Sequence, residues 1–202
     1  MLQCGRSCKT GAMITMADSK TAFRRAIPAD YSAIVRLNAA NFISNLSEDE
    51  RRDGFLSAVF TLQQTAAMAE DLGTTVAIVD GQLAGFLCAF RNDFAHGSPV
   101  VAAMIQSYDR LSFEGRLLNS YRSYAYGPVC IDRAHRRKGL LRGLYEEQRR
   151  ELARRFEVGV ALIARTNQHS LEAHIAGLGM TDVGSFEING NLYATVAFRV
   201  AL

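Results

Sequence analysis

Gly127-Pro-Val-Cys-Ile-Asp-Arg-Ala-His-Arg-Arg-Lys-Gly-Leu-Leu-Arg-Gly-Leu-Tyr145 passes from an apolar run, through a short basic turn, into helical periodicity. Ser120 to Asp132 has the aromatic and β-branched bias of a strand, and Arg133 to Gly139 is the basic loop. Leu140 to Phe156 then sets positions 140, 141, 144, 145, 148, 152 and 156 along one helical face. In such a strand-loop-helix unit the main-chain N–H groups of residues 137 to 142 converge where a helix begins. Unpaired donors and a partial positive charge there favour an anion, and a diphosphate would be well held. Arg136, Arg137, Lys138 and Arg142 add side-chain charge. Gly139 eases close backbone approach. Gly143, costing ~1 kcal/mol relative to Ala inside a helix, implies tight packing against a ligand or a strand. The plainer alternative is a solvated basic turn with a loop glycine. Neither Gly-x4-Gly-Lys-Ser/Thr nor Gly-x-Gly-x-x-Gly occurs, which excludes the phosphate-loop ATPases and dinucleotide-binding dehydrogenases.

On the N-terminal side, Thr21 to Ile27 reads as a strand and Pro28-Ala29-Asp30 as a turn and N-cap. A helix follows on Tyr31, Ile34, Val35, Leu37, Asn38 and Phe42. Ser47 to Glu50 forms a capping box that predicts a second helix running toward Val59, and a further helix is expected over Leu62 to Leu72. Thr74 to Val79 and Gln82 to Phe90 are strands joined by Asp80-Gly81, a hairpin signal. Residues 91 to 120 are less regular, with a breaker at Gly97-Ser98-Pro99 and helical spacing from Val100 to Tyr108, and read as a helical insertion. Beyond the central unit come a strand (Val158 to Arg165), a short helix (Ser170 to Ala176) and a hairpin of Thr181 to Ile188 with Leu192 to Val200 turning at Asn189-Gly190. This order predicts an α/β (α+β) fold, one domain over 21–202 with a mixed sheet of about six to seven strands and helices on both faces.

The whole chain has 202 residues, 49% hydrophobic and 21% charged, enough for one substantial core. A net charge of +3 is too balanced for a protein devoted to nucleic acid, although nine Lys or Arg fall between Arg133 and Arg155 against Glu146, Glu147 and Glu151. No apolar run reaches membrane-spanning length, and no membrane partner is expected. Cys88 and Cys130 lie in apolar strands and read as buried thiols of a reducing, cytoplasmic setting. Residues 1–20 lack a signal-peptide core and are expected to form a disordered tail, with Met13 or Met16 as alternative starts and Cys4 and Cys8 too isolated to suggest zinc.

Arg136-Arg-Lys-Gly139-Leu-Leu141 resembles the Arg/Gln-x-x-Gly-x-Gly/Ala signature of the GNAT superfamily of acyl-CoA-dependent N-acetyltransferases, with Leu141 in place of the last small residue. Arg24-Arg-Ala-Ile-Pro-Ala-Asp-Tyr31, Leu83-Ala-Gly-Phe86 and Asn167-x-x-Ser170-x3-His174, ending at Gly179-Met180, carry the likeness along the chain. It is nearest to acetyltransferases with a helical insertion before the signature strand. The resemblance implies a mostly antiparallel sheet with one splayed parallel pair. It places backbone groups of Val129, Cys130 and Ile131 on the pantetheine arm and acyl carbonyl. The amides of Arg137, Lys138, Gly139, Leu141 and Arg142 would then lie on the diphosphate, with Arg136, Asn167 and Ser170 also at the acetyl-CoA site.

Direct attack by an amine requires proton handling at two points. His174 stands where related enzymes carry a Tyr acid, and its alternative is a structural histidine. Asn167 has the alternative role of helix N-cap. Tyr126 is the candidate base because it ends nearest the expected thioester, with Tyr121, Tyr124, Asp109, Glu114 or a bound water as alternatives. His96, His135 and His169 read as surface residues without metal-ligand spacing, and no metal is expected. Cys130 lacks partners for covalent catalysis. Tyr108, Phe113, Tyr121, Tyr124 and Tyr126 suggest an aromatic acceptor pocket, and equally core or a dimer surface, and the insertion is expected on the acceptor side. The leading expectation is acetyl transfer to a primary amine of a small molecule or amino acid, with a homodimer possible by analogy. The others are a non-catalytic acyl-CoA sensor and a nucleic-acid grip by the 136–155 helix.

Overall fold

A computed structural model describes residues 20–94 and 98–201. Residues 1–19 of the expected tail, with Cys4, Cys8, Met13 and Met16, and also His96 and Gly97, lie outside those residues. The first strand, β1 (Thr21–Arg25), pairs antiparallel with β2 (Thr74–Val79), which turns through Asp80-Gly81 into β3 (Gln82–Arg91). Both turn residues have positive φ, 49° and 80°, the geometry a two-residue hairpin requires. β3 pairs antiparallel with β6 (Ser123–Ile131), and β6 runs parallel to β7 (Val158–Ala164). β7 pairs with β9 (Asn191–Arg199), and β8 (Thr181–Ile188) closes the far edge. The result is a seven-stranded sheet in the order β1-β2-β3-β6-β7-β9-β8 with one parallel pair, in agreement with the expected sheet.

The helix α5 (Leu140–Leu152) makes the crossover between the parallel strands β6 and β7, as parallel pairing demands. With α6 (Gln168–Leu178) it covers one face of the sheet, burying Leu140, Leu144, Leu152 and Leu171 against Tyr124, Tyr126 and Phe198. On the opposite face α1 (Tyr31–Ala40) and α3 (Leu62–Asp71) bury Ile34, Leu37 and Met68 on β2 and β3. The insertion folds as α4 (Pro99–Gln106) and the short hairpin β4 (Ser112–Phe113) and β5 (Arg116–Leu117), covering β7, β8 and β9 with Met104, Tyr108, Phe113 and Tyr121.

One expectation is corrected and one open alternative is decided. The helix begun by the Ser47 capping box is only α2 (Glu48–Arg52), not a helix reaching Val59. Gly54 at φ 93° turns the chain away, and tertiary contacts hold the segment beyond it. Leu56 donates to the Asn41 carbonyl, Ile43 donates to that of Leu56, and Asn38 grips Ala58 and Phe60. The five aromatic residues form no shared pocket wall. Tyr108, Phe113 and Tyr121 belong to the core under the insertion, while Tyr124 and Tyr126 belong to the core under α5, on the other face.

Candidate functional site

The site begins where the sheet comes apart. β6 and β7 pair only over Ser123–Ala125 with Val158–Val160, and no further pairing joins them among the described residues. β6 carries a bulge there: Leu87 faces Val129 but Ala89 faces Tyr126, so Gly127 and Pro128 together oppose one residue of β3. An extra residue reverses side-chain parity along a strand. Tyr124 and Tyr126 thus point to the α5 face, and beyond the bulge it is Val129 and Ile131 that pack there, with Cys130 turned to the α1 face.

A cleft of about 640 Å³ opens from this divergence. Its floor includes Val129, Cys130 and Ile131. One wall is the basic turn and the start of α5, a second is Asn41 with residues 53–56, and the third is the start of α6 with Asn167, His169 and Ser170. The described residues of the insertion, expected on the acceptor side, contribute none of the lining; they cover the β7–β9 core.

At the basic turn the Arg136 N–H bonds the Arg133 carbonyl and the Gly143 N–H bonds that of Gly139, but those from Arg137 to Arg142 have no acceptor among the described residues. Left-handed conformations at Arg137 (φ 61°) and Gly139 (φ 81°) break this run, the kind of backbone that forms a nest for an anion, and α5 begins immediately after. A Cβ on Gly139 would touch nothing within 4 Å, so glycine serves the dihedral there. At Gly143 a Cβ would come within 2.1 Å of the Phe23 ring, so this glycine lets α5 lie on β1.

The side chains are placed differently from their main chains. The Arg136 guanidinium donates to the carbonyls of Ile131 and Asp53 and to Asn41 Oδ1, at 3.2, 2.8 and 2.8 Å, and is engaged inside the protein. Arg142 reaches the Gly177 carbonyl at 2.6 Å. Arg137 and Lys138 are exposed at the rim. Asn167 accepts from the Ser170 N–H as the N-cap of α6 and donates to the Phe55 carbonyl, so both ends of its amide are occupied. Leu141 lines the cleft beside the nest. Cys130 lines the floor, but burial pushes its thiol up to about 12, against the pull of the Arg136 charge, so it carries no thiolate at neutral pH.

His174 and Tyr126 lie behind the cleft, outside its lining. His174 is 4% exposed, and its Nδ1 sits 2.7 Å from the Ser170 carbonyl, an acceptor only, so Nδ1 carries the proton. Burial lowers its pKa, outweighing that hydrogen bond, and the ring is neutral. The Ser170 hydroxyl lies 3.4 Å from the same nitrogen. Tyr126 stacks edge-on against His174, Tyr145 and Phe198; burial holds its phenol well above the ordinary value, and its hydroxyl has no partner among the described residues. Glu114 pairs with Arg199 away from the cleft. Asn41, Asp53, Gly54, Phe55 and Leu56 carry no signal in the sequence, since their place in the cleft depends on the loop after α2 being drawn across it. His135 and His169, expected as bland surface residues, also line it. No cluster able to hold a metal occurs among the described residues, and no helix there is long and apolar enough to cross a membrane.

No protein-family model and no curated protein matches the chain. Solved structures do. An N-acetyltransferase from Staphylococcus aureus aligns with TM-score 0.59 and 17% identity over 90% of this chain and 99% of its own. A ribosomal-protein-alanine N-acetyltransferase from Brucella melitensis gives 0.58 and 18% over 88% and 99%. A Salmonella typhimurium protein assigned as an acetyltransferase, solved with its cofactor acetyl-CoA, gives 0.53 and 21% over 91% and 96%. At such identities the likeness establishes architecture: this chain has the fold of the GNAT N-acetyltransferases.

Proposed function

We propose that the protein transfers an acetyl group from acetyl-CoA to a primary amine of a small molecule or amino acid, by direct attack in a ternary complex. The observation that carries this reading is the run of unsatisfied N–H groups from Arg137 to Arg142 at the mouth of a cleft floored by a splayed strand. Those donors suit a diphosphate, and the exposed edge of β6 at Val129 to Ile131 suits the amide-bearing arm attached to it, so the thioester is delivered to the divergence of β6 and β7. Support also comes from the fold shared with N-acetyltransferases, one of them holding acetyl-CoA.

In the reaction the neutral amine nitrogen bonds to the thioester carbonyl carbon, and the C–S bond then breaks. CoA leaves as a thiol, taking up a proton equivalent to the one the nitrogen loses. The anchored diphosphate makes the encounter effectively intramolecular, which supplies much of the acceleration. The carboxylate and imidazole side chains lining the cleft are those of Asp53, His135 and His169. In this reading His174 is a positioning residue that holds the first turn of α6 through Ser170, and Tyr126 belongs to the core behind the cleft.

Calorimetric titration with acetyl-CoA, followed by thiol detection with a panel of primary amines and amino acids, tests the proposal. Saturable binding and amine-dependent thiol release are expected; absence of CoA and acetyl-CoA binding at millimolar concentration overturns it. A second reading, an acyl-CoA sensor without turnover, is favoured by the burial of His174 and Tyr126 away from the cleft. Tight binding with no thiol release from any amine would select it.

A further inference from the structure

We propose that Arg136 is a positioning residue that couples the anion-binding turn to the 53–56 wall, so that filling the nest stiffens the surface facing it across the cleft. The inference rests on the acetyl-CoA reading of the site. Its basis is the use made of the guanidinium. One side chain, rooted in the residue immediately before the unsatisfied N–H run, holds three segments, two of them more than eighty residues away from it in sequence. These are the end of β6 through the Ile131 carbonyl, the wall through the Asp53 carbonyl, and the C-terminal end of α1 through Asn41 Oδ1.

Each of these partners is itself fixed. Asn41, 4% exposed, donates its amide to the Leu37 carbonyl, and its own carbonyl receives the Leu56 N–H at 2.8 Å. The Leu56 carbonyl in turn accepts from Ile43 at 2.9 Å. Arg133, in the same turn, pairs with Glu50 of α2 at 2.5 Å, which ties the base of the wall to the turn a second time. From the third wall, Asn167 holds the Phe55 carbonyl at 3.1 Å. Asp53 to Leu56 form no helix or strand ladder beyond the isolated Phe42–Leu56 bridge, and their main-chain bonds run only to Glu50, Arg51, Asn41 and Ile43, so the side-chain contacts are what join them to the basic turn and to α6. A planar guanidinium with fixed donor directions transmits displacement of one partner to the others, which a single ammonium does not. When an anion immobilises the N–H groups that follow Arg136, the same restraint passes through it to Asp53 and Asn41.

The test is hydrogen exchange with and without CoA on the full chain, reading the amides of Ile43 and Leu56, with β7 as the internal control. In the wild-type chain CoA should slow exchange at Leu56 and Ile43. In Arg136→Ala, CoA should still bind, because the nest is made of main chain. Leu56 and Ile43 should exchange roughly tenfold faster, with no further effect of CoA and β7 unchanged. If Arg136→Ala fails to fold, Arg136→Lys, which keeps the charge but only one donor centre, decides by the same criterion. CoA-dependent protection of Leu56 that persists in the variant overturns the proposal while leaving the acetyl-CoA reading intact. Failure of the wild-type chain to bind CoA overturns both.

Discussion

Gly139 permits the nest to be tested by two substitutions that share a backbone effect and differ in charge. It sits at φ 81° and a Cβ there meets nothing within 4 Å, so alanine and glutamate both incur the left-handed penalty of about 1–2 kcal/mol and neither adds a clash. For a chain of this size that lowers Tm by about 2–8 °C. The difference appears only with ligand. A glutamate carboxylate about 6 Å from a diphosphate, at an effective dielectric of about 20, is repelled by about 3 kcal/mol per charge pair, or roughly a hundredfold in Kd. Salt reduces this to no less than about tenfold. CoA at a hundred times its Kd stabilises by about 2.7 kcal/mol, so the wild-type chain and Gly139→Ala should each gain about 5–10 °C in a thermal-shift assay. With Kd raised a hundredfold the same CoA concentration stabilises Gly139→Glu by about 0.4 kcal/mol, a shift of about 1 °C. Equal CoA shifts in the two variants would refute the placement of the diphosphate. An unliganded Tm for Gly139→Glu far below that of Gly139→Ala would refute the claim of open space.

Gly143→Ala should destabilise the fold by about 1–3 kcal/mol, because its Cβ would overlap the Phe23 ring, and Phe23→Leu on the same chain should recover part of the loss in denaturant titration; additive effects would place the strain elsewhere. His174 is held neutral by burial, with its folded pKa below the ordinary 6.5, so the unfolded chain binds the extra proton as pH falls below that value. Stability should therefore decline on acidification from about pH 7 and more gently in His174→Phe; parallel curves in urea titrations across pH 5 to 8 would contradict this. Cys130→Ala should keep CoA affinity within about threefold and leave any amine-dependent thiol release in place, since the thiol is pushed up to about 12 and the floor acts through main chain; loss of turnover with intact binding would point to covalent chemistry instead.

Much of the architecture was legible because its signals are local. Asp80-Gly81, the Ser47 N-cap, the apolar periodicity of α5 and the glycine after Lys138 each act within a few residues of themselves, and each lies where expected. The run of N–H groups from Arg137 to Arg142 without acceptors was legible for the same reason, as it follows from a helix start and a left-handed glycine. The extent of α2 was not, because contacts from Asn38 and Asn41 override a capping box that stabilises by only about 1 kcal/mol. Nor was the bulge at Gly127-Pro128 visible, although its effect on parity turns Cys130 to one face and Ile131 to the other.

Sequence alone therefore set the order of elements, the hairpin turns and the chemistry of the basic turn, since these depend on dihedral preference and periodicity over short spans. Tertiary structure decided which residues face one another across the cleft. It drew 53–56 opposite the turn, withdrew His174 and Tyr126 behind the wall, and turned the Arg136 and Asn167 side chains inward to carbonyls more than eighty residues away in the chain. Those outcomes depend on burial and on hydrogen bonds between distant segments, and such contacts acquire their partners only when the sheet has closed.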